Sequence, residues 1–370
     1  MADSATDPSP LRTLDDLETV IDCDFHLTER QADFLPYLPD PFDSMLNRED
    51  TVDNMGYVKS LYPSAGLLTP INTGKVQNEP VRTREAVKEG MDLLGVDHPV
   101  LTPTQNLYLG CVHHDDLAAG LAHAYNQWLL DQILEPDAGI YGAAVIAPQK
   151  PEQAAEEIDD RADEDGIVAV FVPSGGINPL LGHDVYHPIY EAAEAAGLPV
   201  MFHNASGTQL LSFPQQFQAT NRYLSNHATT HSMLHMSHLT DMLVRGVFVK
   251  YDLEFVFQEA GLGWVPYITR RLDNEYREKR EDAPMLERLP SEYIDEACYF
   301  TSQPLEGADD PEYIKSIVSL MGPDNLLFSS DYPHLDFDHS DALFRAIRGS
   351  FDEDAVVDVY GETAQRVFGF

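Results

Sequence analysis

Residues 167–203 read IVAVFVPSGGINPLLGHDVYHPIYEAAEAAGLPVMFH, and this stretch decides the fold. An apolar, β-branched run at 167–172 leads to a helix pattern at 188–196. That pattern opens with Pro188 and stops at Gly197, and a second apolar run at 198–203 ends on His203. Near-continuous apolar runs suit parallel strands covered on both faces. Proline in the first turn and glycine just past the last are ordinary helix boundaries. The same beat recurs on either side. Further runs fall at 19–26, 98–101, 140–146, 253–258, 298–301 and 326–330. Helix patterns fall between and after them, at 117–130, 151–165, 311–321, 340–347 and 352–367. Eight runs alternating with helices predict a single (β/α)8 TIM barrel over residues 1–370, with insertions near 28–97 and 204–245. An open doubly wound sheet would need Gly-x-Gly-x-x-Gly after the first strand, and none occurs there.

Composition narrows the partners. Sixty-two acidic residues against 23 Lys and Arg give a net charge of -39. A surface this negative repels nucleic acid and anionic membranes. The acids are spread along the chain, which predicts adaptation to the salt-rich cytosol of a halophilic archaeon, where molar salt shortens the Debye length to ~3 Å. Cys23, Cys111 and Cys298 form no disulfide framework and no CxxC. No apolar run approaches the ~20 residues that cross a bilayer. The opening MADSATDPSPLRTLDDLE lacks the basic start and apolar stretch of a secretory signal, so a cytoplasmic location is expected.

The residues that suit metal chemistry fall at strand ends. The first strand ends in Asp22-Cys23-Asp24-Phe25-His26, the fifth in His203, the sixth in Gln258-Glu259, and the eighth in Ser329-Ser330-Asp331. Alternation along the first strand aims Asp22, Asp24 and His26 one way, with Asp22 available to orient a ligand histidine. Imidazole and carboxylate are the side chains that hold Zn²⁺ or Mn²⁺, and the C-terminal mouth is where barrels build active sites. Buried charges cost several kcal/mol unless paired or metal-bound, so their convergence points to a cation. His113-His114-Asp115-Asp116 reads instead as a helix start, with Asp115 or Asp116 as the cap. His231, His235 and His238 share a helical face and read either as satisfied structural histidines or as lining of the pocket mouth, with a second metal disfavoured because no matching carboxylate accompanies them. Trp264, in GLGWVP, packs beside the site.

At these residues the chain resembles the amidohydrolase-related family, in the branch similar to aminocarboxymuconate-semialdehyde decarboxylase. The matching segments are 21–26 (IDCDFH), 142–157 (GAAVIAPQKPEQAAEE), 184–203, 246–271 (GVFVKYDLEFVFQEAGLGWVPYITRR) and 325–336 (NLLFSSDYPHLD). The resemblance implies a barrel with one divalent metal, Zn²⁺ first and Mn²⁺ or Fe²⁺ otherwise. Asp24 and His26 match an acid-x-His variant of the first-strand motif, His203 the fifth-strand ligand, and Asp331 the eighth-strand aspartate that contacts the metal and moves a proton. Binuclear relatives carry a strand-four lysine, which IVAVFVPSG lacks. Family decarboxylases carry a histidine at the end of strand six, where this chain has Glu259.

Three functions follow as expectations. The leading one is a metal-dependent hydrolase, in which a metal-bound water attacks a small-molecule substrate. Asp331 would take the proton, and Glu259 would assist if burial beside other carboxylates raises its pKa. The alternative is a non-oxidative decarboxylase of an aromatic or enoic carboxylate, with Arg222, His238 and Trp264 as substrate-binding candidates. The third is a non-catalytic barrel. A homodimer is the expected assembly.

Overall fold

The computed structural model describes residues 11–46, 80–205, 208 and 222–370. Parts of both predicted insertions, residues 47–79, 206–207 and 209–221, lie outside the described residues. Eight parallel strands follow one another in sequence order: β1 (Ile21–Leu27), β2 (His98–Pro103), β3 (Tyr141–Val145), β4 (Ile167–Pro173), β5 (Val200–His203), β6 (Phe255–Phe257), β7 (Cys298–Thr301) and β8 (Leu326–Leu327). The barrel closes just beyond β8. Cys23 N donates to Phe328 O (3.0 Å), Asp331 N to Asp24 O (2.9 Å) and His26 N to Tyr332 O (2.7 Å). The sequence reading of a TIM barrel therefore holds strand for strand.

The helices of the outer layer are α1 (Arg84–Leu94), α2 (Asp115–Trp128), α3 (Pro151–Arg161), α4 (His187–Ala196), α5 (Tyr223–Val244), α6 (Trp264–Glu278), α7 (Pro290–Ala297), α8 (Pro311–Met321) and α9 (Asp341–Ile347). Their boundaries are chemical. Thr83 caps α1 by accepting from Ala86 N, and α4 stops where Gly197 turns left-handed at φ 66°. None of the described helices is long and apolar enough to cross a membrane.

Every residue of β1, β4 and β5 is buried, as strands covered on both faces require. Phe202, Phe255, Phe257 and Phe300 fill the layer between strands and helices, each contributing about 1.5–3 kcal/mol by burial. Two helix expectations are corrected. The pattern at 151–165 stops at Arg161, whose buried guanidinium is held by Glu157 at 2.8 Å. The pattern at 352–367 is two short helices joined by a widened turn, Asp358–Glu362. That turn brings Gly361 against the barrel floor, where a Cβ would lie 2.8 Å from Thr19 O.

Candidate metal centre

The sequence-predicted donors meet at the C-terminal mouth. Asp24 and His26 come from the end of β1, His203 from the end of β5, and Asp331 from the segment after β8, and all four are fully buried. His26 Nε2 lies 3.2 Å from Asp24 Oδ1 and 3.2 Å from Asp331 Oδ1, and His203 Nε2 lies 3.4 Å from Asp24 Oδ2. Each residue is tied back by one atom. His26 Nδ1 bonds Pro103 O (2.8 Å), and His203 Nδ1 bonds Asn204 O (2.7 Å). A carbonyl only accepts, so each Nδ1 carries the hydrogen and the neutral ring turns an Nε2 lone pair inward. Asp24 Oδ1 takes bonds from Thr102 Oγ1 (3.1 Å) and Gln258 Nε2 (3.0 Å), and Asp331 Oδ1 takes one from His334 Nδ1 (2.7 Å). What remains is Asp24 Oδ2, His26 Nε2, His203 Nε2 and Asp331 Oδ2, all buried and without a hydrogen-bond partner.

Orphaned polar atoms of this kind cost ~1–3 kcal/mol each, more for charged groups, so a group that satisfies four of them together is a strong physical demand. Donors about 2.1 Å from one ion sit about 3.0 to 3.4 Å apart in octahedral or tetrahedral arrangement. Of the partnerless atoms, His203 Nε2 and Asp24 Oδ2 stand 3.4 Å apart, which agrees with that. Asp24, His26 and His203 bring ligand atoms within 4.8 Å of one another and so fit a single divalent cation, with Asp331 against His26 beside them. Charge agrees as well. Burial alone would strip the protons from His26 and His203, but Asp24 beside both, Asp331 at His26 and Glu259 at His203 outweigh it and raise their pKa values. Burial pushes the Asp24 carboxyl up, yet the two histidines outweigh that and hold it well below the usual carboxylate range. Protons and a cation therefore compete for the same lone pairs.

A second group of side chains stands over this one. Glu259 follows β6 with φ 48°, and Asp331 has φ 62°, strained conformations for residues other than glycine. The Glu259 carboxylate lies 3.3 Å from His203 Nε2, 3.4 Å from His227 Nε2 and 3.6 Å from His231 Nδ1. Burial favours its neutral form, but His231, His227 and His203 outweigh this and hold it below its ordinary range. The expectation that Glu259 is pushed up among carboxylates is therefore corrected: its nearest neighbours are histidines. His227 is partly exposed, stacks on Tyr223 with ring centroids 5.0 Å apart, and lies 3.2 Å from Asp336 Oδ2. Burial works against its proton, and Glu259 and Asp336 raise it to about 9. Asp336 is pushed up to about 6 by burial, with Asp331 and Glu259 adding to the rise.

Several predicted roles are relocated. Asp22 orients no histidine. An extra residue between Asp22 and Phe25 breaks the β1–β2 register, and Asp22 accepts from Ser330 N (3.0 Å), Ser330 Oγ and Asp24 N (3.1 Å). His238 takes no part in the mouth: it is fully buried, and its ring bonds Ser174 O (3.1 Å) and Leu181 N (3.2 Å). His235 is likewise buried, with Nε2 on Gln258 O at 2.7 Å. Trp264 donates its indole N–H to Gly261 O (3.0 Å) and packs on Phe257, Phe300 and His235, behind the site. Arg222 is exposed at the start of α5. The α2 cap is His114, whose Nδ1 accepts from Leu117 N (3.3 Å), and not Asp115 or Asp116. The reading of the sequence did not single out His227, His334 or Asp336. Signals existed: His227 lies one helical turn before His231, and His334 and Asp336 stand inside the matched segment 325–336.

Comparison with known proteins places this geometry in a family. The model of the amidohydrolase family matches residues 21–370. A curated gamma-resorcylate decarboxylase from a Polaromonas strain is 24% identical over 229 residues, covering 59% of this chain and 68% of that protein. Among solved structures, an amidohydrolase from Mycobacterium avium subsp. paratuberculosis superposes with a TM-score of 0.72 at 20% identity, over 95% of this chain and 98% of that one. A 5-carboxyvanillate decarboxylase from Novosphingobium aromaticivorans, complexed with manganese and 4-hydroxy-3-methoxy-5-nitrobenzoic acid, gives 0.70 at 19% identity, over 95% and 96% of the two chains.

Proposed function

The chain belongs to the amidohydrolase family, and on that premise we propose that it is a metal-dependent, non-oxidative decarboxylase of an aromatic or enoic carboxylate. This reverses the order in which the sequence ranked hydrolase and decarboxylase. The observation that carries the reading is the likeness to a curated decarboxylase across more than half the chain, over a mouth in which four buried donor atoms lack partners. Asp24, His26, His203 and Asp331 are the residues that would hold the cation. Two oxygens and two imidazole nitrogens suit Mn²⁺, Zn²⁺ or Fe²⁺. When bound, the cation would supply Lewis-acid polarisation of the substrate's carboxylate oxygens.

The chain's own residues supply the rest. Decarboxylation breaks a carbon–carbon bond, leaves its electron pair on carbon, and replaces carbon dioxide with a proton. Asp331 is the group to move that proton. His334 donates to its Oδ1 and holds the carboxylate in place, and the carboxylate can take up a proton and hand it to the carbon. His227 stays protonated at neutral pH and stands at the open side, where it can bind an anionic oxygen of the substrate. Glu259 keeps His227 in place.

One observation favours hydrolysis: Glu259 is held as a carboxylate beside His203, where it could take a proton from water. A panel separates the two readings. Protein reloaded with Mn²⁺, Zn²⁺ or Fe²⁺ is incubated with hydroxybenzoates and enoic acids, and with esters, amides and lactones. Carbon dioxide release that a chelator abolishes supports the decarboxylase. Chelator-sensitive hydrolysis without carbon dioxide from any acid would overturn it.

A further inference from the structure

Glu29 is a fully buried carboxylate that neither the metal site nor the proton step uses. It stands just past β1, three residues beyond His26. Its Oε2 accepts from Thr104 N (3.0 Å), and its Oε1 accepts from Gln105 N (2.9 Å), Asn106 N (3.1 Å) and Asn106 Nδ2 (3.3 Å). Burial raises its pKa against the pull of those donors. Taking a carboxylate this far from water costs several kcal/mol, so the four N–H groups are spent on fixing residues 104–106.

Thr104 is what those bonds place. Its Oγ1 lies 2.9 Å from His334 Nε2. The other ring nitrogen, His334 Nδ1, lies 2.7 Å from Asp331 Oδ1, and the ring stacks on His26 with centroids 4.1 Å apart. The roles along this chain follow from donor and acceptor chemistry. A carboxylate accepts, so Nδ1 carries the hydrogen, Nε2 offers a lone pair, and the Thr104 hydroxyl donates to it. One tautomer of His334 satisfies both ends, and in it the ring holds Asp331 Oδ1, the oxygen that also lies 3.2 Å from His26 Nε2.

We infer that Glu29 and Thr104 are positioning residues for the reaction: by fixing the tautomer and orientation of His334, they hold the Asp331 carboxylate in the position from which it acts. This rests on the reading of Asp331 as the proton-moving group. A structural staple between the loops after β1 and β2 would hold the backbone equally well without the Thr104 hydroxyl. The hydroxyl therefore separates the two roles.

The test compares Thr104→Val, Thr104→Ser and Glu29→Gln in the metal-loaded full chain. Three quantities are measured: the His334 tautomer by ¹⁵N NMR of histidine-labelled protein, metal content, and kcat with KM for carbon dioxide release. Groups that orient metal-site residues in this way are worth about 10- to 100-fold when removed. Thr104→Val should lose the Nδ1–H preference of His334 and lower kcat by about that factor, with KM and metal content held. Thr104→Ser should restore both. Glu29→Gln should act as Thr104→Val does, with a native melting profile. Thr104→Val with an unchanged tautomer and unchanged kcat would overturn the relay, and Glu29→Gln with native values beside a defective Thr104→Val would remove Glu29 from it. If the wild-type protein releases no carbon dioxide from any acid, the reaction reading fails, and the tautomer measurement still decides the relay.

Discussion

Replacing His26 or His203 with alanine removes one donor of four, while replacing His238 removes a histidine equally buried but tied to backbone. The structure sets the contrast. His26 and His203 each spend Nδ1 on a carbonyl and leave Nε2 without a partner, whereas both nitrogens of His238 bond the main chain. A four-donor site worth ~10–16 kcal/mol assigns ~3–4 kcal/mol to each donor. His26→Ala and His203→Ala should then weaken the metal about 100- to 1000-fold, at 1.4 kcal/mol per decade. His238→Ala should cost about 2–4 kcal/mol of folding stability through lost bonds and a cavity, and leave the metal in place. The assay is chelator stripping, reloading with Mn²⁺, elemental analysis after gel filtration, and a competition titration for Kd. Stoichiometric metal in His26→Ala and His203→Ala with Kd within tenfold of wild type would refute the donor set, as would loss of metal from a folded His238→Ala.

Three further outcomes are expected. In Glu259→Gln the charge that raises His227 disappears, so an NMR titration should show the His227 pKa falling from about 9 toward its ordinary range; an unchanged value would separate the two residues. Burial raises Asp22 from 3.8 to about 6, even though Ser330 and Asp24 donate to it, so its contribution to stability is complete below pH 3.8 and is lost as pH rises through 6. Those roughly two units correspond to ~3 kcal/mol. Urea midpoints of the metal-free protein and of Asp22→Asn should diverge between pH 4 and pH 7, and parallel curves would contradict the assignment. A chain of net charge -39 should also gain stability with KCl through the molar range, read from melting temperature; a flat response would end the halophile reading.

The barrel was legible because parallel strands covered on both faces announce themselves as short apolar runs, and all eight of those runs are strands. The convergence of Asp24, His26, His203 and Asp331 was legible for a related reason: each stands at or just past the end of a strand, where the barrel leaves side chains facing one opening. Asp22 escaped the same rule because a bulge in β1 is invisible to alternation, and it turned that carboxylate toward Ser330. His227 escaped because the placement of α5 over the mouth depends on the long excursion after β5, and helical spacing alone shows only that residues 227, 231, 235 and 238 share a side of α5. The reading took His238 as a substrate-binding candidate and passed over His227, although His238 bonds main chain inside the wall and His227 faces the opening.

His334 and Asp336 escaped for a more specific reason, and it bears on how the site works. A regular strand end would carry residues 332–336 away from the barrel. Asp331 instead turns left-handed at φ 62°, and His334 N bonds back to Asp331 O at 2.9 Å. The turn brings the His334 ring onto its own aspartate and Asp336 to within 3.2 Å of His227. The strained residue is therefore the one that gathers the second group of side chains over the first. Glu259, the other such residue, does the same from β6, facing His203 below and His227 above. Neither conformation follows from a local preference of Asp or Glu, and each costs of order 1–3 kcal/mol. Both are held by long-range bonds, Asp331 N on Asp24 O and Glu259 N on Thr301 Oγ1. The geometry that completes the site is thus imposed by the closed barrel on two residues whose own sequence neighbourhood does not ask for it.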